Sequence, residues 1–129
     1  NPFGEAGVIA IFSQKLLLGK QPLINGDGKQ TRDFVYVSDV VSANEKALKT
    51  TSALTVNIAS GIATDINTIF NKLIKLTQRH LNPLHGKAKL GEQTHSVLDI
   101  KKAARELAWH PRISLDEGLA KTLAYFTNI

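Results

Sequence analysis

The sequence predicts an α/β fold with few strands, on three observations. Segments of helical period alternate with short runs of β-formers, in the order α, β-turn-β, α, β, α, loop, α, α. Only three or four of those runs read as strands, too few for a complete, well-covered doubly wound sheet. The 129 residues, 43% apolar and 21% charged, suffice for one core-bearing domain over residues 1–129 and argue against a disordered chain.

The first helix spans about Ala6 to Leu18. Val8, Phe12 and Lys15/Leu16 share a stripe, joined by Ile9, Ile11 and Leu17, and Gly19 stops it. Pro22-Leu23-Ile24 then leads into Asn25-Gly26-Asp27-Gly28, whose Asn-Gly and Asp-Gly pairs favour positive φ and predict a hairpin-like turn. Asp33-Phe34-Val35-Tyr36-Val37 reads as a short strand. Ser38 or Asp39 caps a helix from about Val40 to Leu48, with Val40, Asn44, Ala47 and Leu48 on one side. Thr55 to Ala59 reads as a strand closed by Ser60-Gly61; if buried, it would want neighbours that this chain is short of. Thr64 or Asp65 caps the clearest helix, where Ile66, Ile69, Phe70, Leu73 and Ile74 form one apolar face. Residues 79–98 form a long irregular stretch with one short strand near Ala88-Lys89-Leu90. Asp99 caps a short helix through Leu107. Ser114 and Glu117 form a capping box that opens the last helix, with Leu115, Leu119, Leu123 and Phe126 inward.

Composition excludes several classes of function. Cysteine is absent, which removes disulfides, thiolate metal sites and cysteine nucleophiles. No apolar run reaches the roughly 18 residues of a membrane span, and no signal peptide is visible. The net charge of +5 suits an anionic partner. The basic residues are dispersed and aromatics few, however, so neither a nucleic-acid surface nor a membrane surface is expected. Methionine is absent and the chain opens Asn1-Pro2-Phe3-Gly4, which suggests a removed start or a piece of something longer.

Single residues allow competing readings. Arg32, at a strand start beside a glycine turn, can grip a phosphate bidentately or pair with Asp33 or Asp27 at the surface. Gly26-Asp27-Gly28 fails the context of a dinucleotide fingerprint, because it opens onto no helix and lacks a third glycine. Lys89 and Glu92 could serve a phosphate and a ribose, or form an ordinary polar turn. His80, His85, His95 and His110 have no carboxylate at metal-ligand spacing, and nothing marks a nucleophile elbow. Trp109, before His110-Pro111, reads as a packing anchor.

Taken in order, Gly7 to Phe12, Gly26 to Val41, Asn57 to Gly61, Gly91-Glu92, Ser96 to Asp99, Leu107 to Pro111 and Ser114 to Leu119 resemble the C-terminal half of the NAD-dependent sugar epimerase/dehydratase family, the extended short-chain dehydrogenase/reductases. UDP-glucose 4-epimerase-like members are the most similar. The resemblance implies the substrate-binding portion of that fold, without a complete Rossmann sheet. It implies that Arg32 and Lys89 contact a nucleotide diphosphate, that Leu23 and Asn25 lie against the nucleobase, that Glu92 holds the ribose, and that Asp39 is a structural helix cap. Lys89 stands where the family usually has Arg, which keeps charge and loses fork geometry. Ala59 stands where Gly is common.

The family's glycine fingerprint and Tyr-x-x-x-Lys are missing: Tyr36 is followed four residues on by Val40, and Tyr125 by Ile129. The expectation is therefore a UDP-sugar-binding fragment, inactive alone, with no catalytic residue, no metal and no NAD of its own (NAD belonging to the full-length family). Its expected partners are a UDP-sugar, bound weakly at best, and a second copy of itself through an exposed sheet edge. The expected location is cytoplasmic. The alternative is a non-enzymatic, self-associating or partner-binding module derived from such an enzyme.

Overall fold

A computed structural model describes residues 7–128, so the predicted helix start at Ala6 lies outside the described residues. Five helices and four three-residue strands follow in the order α1 (Val8–Leu17), β1 (Leu23–Asn25), β2 (Thr31–Asp33), α2 (Val37–Ala47), β3 (Ala63–Asp65), α3 (Ile66–Thr77), β4 (Leu84–Gly86), α4 (Lys101–Leu107) and α5 (Leu115–Thr127). The predicted α/β class with few strands holds.

The main core lies where α1, α3 and α5 meet. Phe12 and Leu16 from α1, Ile66, Ile69, Phe70 and Leu73 from α3, and Leu119 from α5 are buried together, with Ile24 of β1 beneath them. Phe12 and Phe70 meet edge to face with ring centroids 6.2 Å apart. α3 buries the face that its spacing predicts, and Asp65 is its cap, accepting from the Thr68 amide at 2.7 Å. α1 departs from its predicted stripe: Ile11 is 40% exposed, whereas Ser13 is fully buried on the Phe12–Leu16 face. Gly19, at φ +66°, ends α1 as expected, with the Gly19 and Lys20 amides donating back to the Leu16 and Lys15 carbonyls. Ser114 caps α5 by accepting from the Glu117 amide, but the reciprocal half of the box is replaced by a Glu117–Lys121 ion pair at 3.1 Å.

A second, smaller core joins α2 to α4. Ala43, Ala103, Leu107 and Trp109 form it, with Val35, Leu54, Val56 and Ile58 packed against them. Trp109 is the predicted anchor, 1% exposed, its Nε1 donating to the Asp39 carbonyl and the Ser42 hydroxyl. α2 starts three residues before its predicted position, at Val37, and has no side-chain cap. Asp39 is structural in a different way: it is 3% exposed, and its carboxylate accepts from the Arg112 and Ile113 amides. A side chain committed to that loop cannot also cap its own helix. The predicted inner face of α2 is likewise corrected, since Asn44, Ala47 and Leu48 are exposed and Asp39 and Ala43 face inward.

The strands depart most from expectation. β1 pairs in parallel with β4, Leu23 opposite Leu84 and Asn25 opposite Gly86. β2 pairs antiparallel with the unforeseen β3, Thr31 opposite Asp65 and Asp33 opposite Ala63. Gly26 and Gly28 do take positive φ, yet β1 and β2 form no hairpin. The Asn67 side chain donates to the Asp27 carbonyl and its amide to the Gly28 carbonyl, which fastens the turn to the start of α3 instead. Of the strand predicted at 33–37 only Asp33 is in a strand, at the end of β2, and Val37 already opens α2; residues 88–90 form no strand, and β4 lies before them at Leu84–Gly86. Thr55 to Ala59 forms no strand. Its burial alternates, Leu54, Val56 and Ile58 half-buried and Thr55 and Asn57 exposed, but its backbone finds no hydrogen-bonded partner among the described residues.

Candidate functional site

Two short segments, brought together by the β1–β4 pairing, line an open cavity. One is the turn that follows β1; the other is the loop after β4. The cavity measures about 420 Å³, and Asn25, Asp27, Lys29, Lys89, Glu92 and His95 contribute to its lining. Gly26 donates its amide to the Gly86 carbonyl and offers its own carbonyl to His85 Nδ1 at 2.8 Å, which fixes the turn against β4. Gln30 Nε2 donates to the Asn25 carbonyl and closes the turn from the other side.

Arg32 stands behind this cavity in β2. Its guanidinium donates to the Thr31 carbonyl at 2.8 Å, to the Gln93 carbonyl at 2.6 Å and to Glu92 Oε1 at 3.2 Å. These bonds use three of the five N–H groups a guanidinium offers. The partner is neither Asp33 nor Asp27, the two carboxylates adjacent in sequence, but Glu92, sixty residues away. Asp33 is occupied elsewhere: its carboxylate accepts from Ser60 N, Ser60 Oγ, Gly61 N and Leu98 N, and so ties β2 to both flanking loops.

Of the five residues expected to bind substrate, Asn25, Lys89 and Glu92 line the one cavity, and Arg32 reaches it through Glu92. Leu23 does not line it. It is 46% exposed in β1, its side chain packed beside Gly86. Lys29, Gln30 and His95 also line the cavity and were not singled out by sequence reasoning. Lys29 and Gln30 directly follow the Gly-Asp-Gly turn, so position alone could have drawn attention to them; His95 had no signal beyond its place in the irregular loop. Among the described residues no group of three or more His, Asp or Glu could hold a metal ion.

The glycine turn does not fit a dinucleotide. At the start of α3 the Asn67 amide is taken by the Gly28 carbonyl and the Thr68 amide by Asp65, so neither is open to a pyrophosphate.

Fold and cavity together define an α/β fold with a cavity lined by charged and polar side chains, between a glycine turn and the loop after β4. The chain belongs to the epimerase/dehydratase family: the family model described as GDP-mannose 4,6 dehydratase matches residues 5–122. UDP-glucose 4-epimerase of Mycolicibacterium smegmatis is 37% identical over 129 residues, covering 99% of this chain and 41% of that protein. UDP-N-acetyl-alpha-D-glucosaminuronate decarboxylase of Bacillus cytotoxicus is 32% identical, covering 96% and 41%. The solved UDP-glucose 4-epimerase of Thermotoga maritima with UDP-glucose superposes with a TM-score of 0.96 at 41% identity, covering 99% of this chain and 41% of that one. The chain thus spans about two fifths of the length of these relatives. No described helix is long and apolar enough to cross a membrane.

Proposed function

We propose that this chain carries the nucleotide-diphosphate part of a UDP-sugar site and that it does not catalyse sugar chemistry by itself. The observation that carries this reading is the convergence of Asn25, Lys89 and Glu92 on one cavity, with Arg32 paired to Glu92 behind it. Lys89 supplies a point charge for a phosphate, and Glu92 an acceptor for ribose hydroxyls. Arg32 holds Glu92 and Gln93 in place and keeps two N–H groups in reserve for the diphosphate. Asn25, at the cavity wall, flanks the nucleobase. UDP-glucose is the ligand named for the Thermotoga maritima structure, and UDP-glucuronic acid for that of a Bacillus cereus epimerase, which motivates UDP as the nucleotide. The catalytic tyrosine-lysine pair and NAD would come from residues outside this sequence.

Calorimetry with UDP-glucose tests the proposal. The expected result is binding in about the millimolar range, weakened about tenfold by Lys89→Ala, since a hydrogen bond to a charged group is worth 1.5–3 kcal/mol. Absence of binding by this chain overturns the proposal, and binding regained on fusion to a family cofactor domain would then place the site across both parts.

A second reading is self-association. The backbone of residues 53–59 has no hydrogen-bonded partner among the described residues and its side chains alternate as in a strand, so a second copy could add to this edge. Light scattering decides: a monomer at every concentration removes it.

A further inference from the structure

We propose that His95 is a further ligand-binding residue of the cavity, and that its protonation strengthens binding of the nucleotide's diphosphate. The inference rests on the UDP-sugar reading above and adds to it a residue that the sequence did not single out.

The argument begins with position. His95 lines the cavity together with Lys29 and Lys89. Its Nδ1 lies 3.3 Å from Thr31 Oγ1, and the Thr31 amide donates to the Thr94 carbonyl at 2.9 Å. The ring is therefore tethered to β2 on one side while its own loop is fastened to the same strand. The tether survives a change of charge. In a neutral ring with Nδ1 bare, the threonine hydroxyl donates; in the cation, Nδ1–H donates and the hydroxyl accepts. Either way Nε2 stays free for a ligand.

Charge makes the position consequential. Lys29 and Lys89 line the cavity with Asp27 and Glu92, so the charged side chains of its lining balance to zero. Arg32, paired to Glu92, brings the neighbourhood to one positive charge. A protonated His95 doubles that. Histidine is the side chain whose charge ordinarily changes between pH 5 and 8, so the field met by a dianionic diphosphate changes over that range. The other titratable group beside the cavity is His85, whose Nδ1 is engaged with the Gly26 carbonyl on the β4 side.

The sign is fixed by linkage. A bound anion favours the cation, so affinity is highest at low pH and falls as pH rises and the imidazolium is lost. UDP-glucose is the right probe, because its pyrophosphate is esterified at both ends, has no secondary phosphate ionisation and keeps its charge between pH 5.5 and 8. The expected result for the 129-residue chain is affinity about three- to tenfold higher at pH 5.5 than at pH 8, as one added charge some ångströms from the diphosphate would give. His95→Gln should bind with the pH 8 affinity throughout, and His95→Lys with the higher affinity throughout. Circular dichroism confirms that each variant is folded. Binding that does not vary with pH, or a pH dependence retained in His95→Gln, overturns this proposal and leaves the UDP-sugar reading standing. No binding by the wild type at either pH overturns both.

Discussion

Asp33 gathers four hydrogen bonds from donors 27 to 65 residues further along the chain: Ser60 N at 2.7 Å, Ser60 Oγ at 2.5 Å, Gly61 N at 3.0 Å and Leu98 N at 3.2 Å. It sits next to Arg32, so the same strand that props the cavity is pinned through it to the loops on either side. Asp33→Asn keeps the shape but turns one acceptor oxygen into a donor facing an amide. The expected loss is about 2–3 kcal/mol of stability, read from urea unfolding, and a loss under about 0.5 kcal/mol would mean that water replaces these bonds. Asp39 makes the same kind of bond to Arg112 and Ile113 from inside α2. Neither role is legible in sequence: Asp39 ahead of a helical segment reads as a cap and Asp33 as a strand residue beside Arg32, and nothing local points to partners 27 or 73 residues away. The site residues follow the same logic. Lys89 and Glu92 can be named from a motif, whereas the ion pair of Glu92 with Arg32 appears only once β2 lies beside the distant loop.

Elements were legible in proportion to how local their stabilisation is. α3 and α5 were read almost correctly, since an apolar stripe and an N-cap are written within a dozen residues. β3 and β4 were not, because a three-residue strand is defined by its partner rather than by its composition. The Gly26–Gly28 turn illustrates both cases: its positive φ values follow from the glycines, but its attachment to Asn67 does not. Gly28 at φ +74° lies so close to Asn67 that a Cβ would collide with the side-chain amide. Gly28→Ala therefore strains the backbone and displaces Asn67 together. We expect a loss of about 2 kcal/mol by thermal melting and a clear drop in UDP-glucose affinity, since Asp27 and Lys29 move with the turn. Unchanged affinity in a destabilised variant would separate the turn from the cavity.

Across the molecule, two cores share the work unequally. The α1–α3–α5 core is closed, with Phe12, Ile69, Leu73 and Leu119 at or near zero exposure. The α2–α4 core is covered on one side by residues 54–58, whose outer backbone remains unpaired among the described residues. That asymmetry is what favours the self-association reading, and light scattering is the test at this scale. The sequence by itself determined the α/β class, the helices with strong apolar periodicity, the Trp109 anchor and four of the residues at or behind the cavity, because each rests on local spacing or on an ordered set of motifs. The tertiary structure alone decided which strands pair, where Asp33 and Asp39 direct their carboxylates, that Leu23 stands outside the cavity, and that His95 stands within it. Those outcomes depend on segments 27 or more residues apart meeting in space, and pairings of that range leave no periodic trace in the chain.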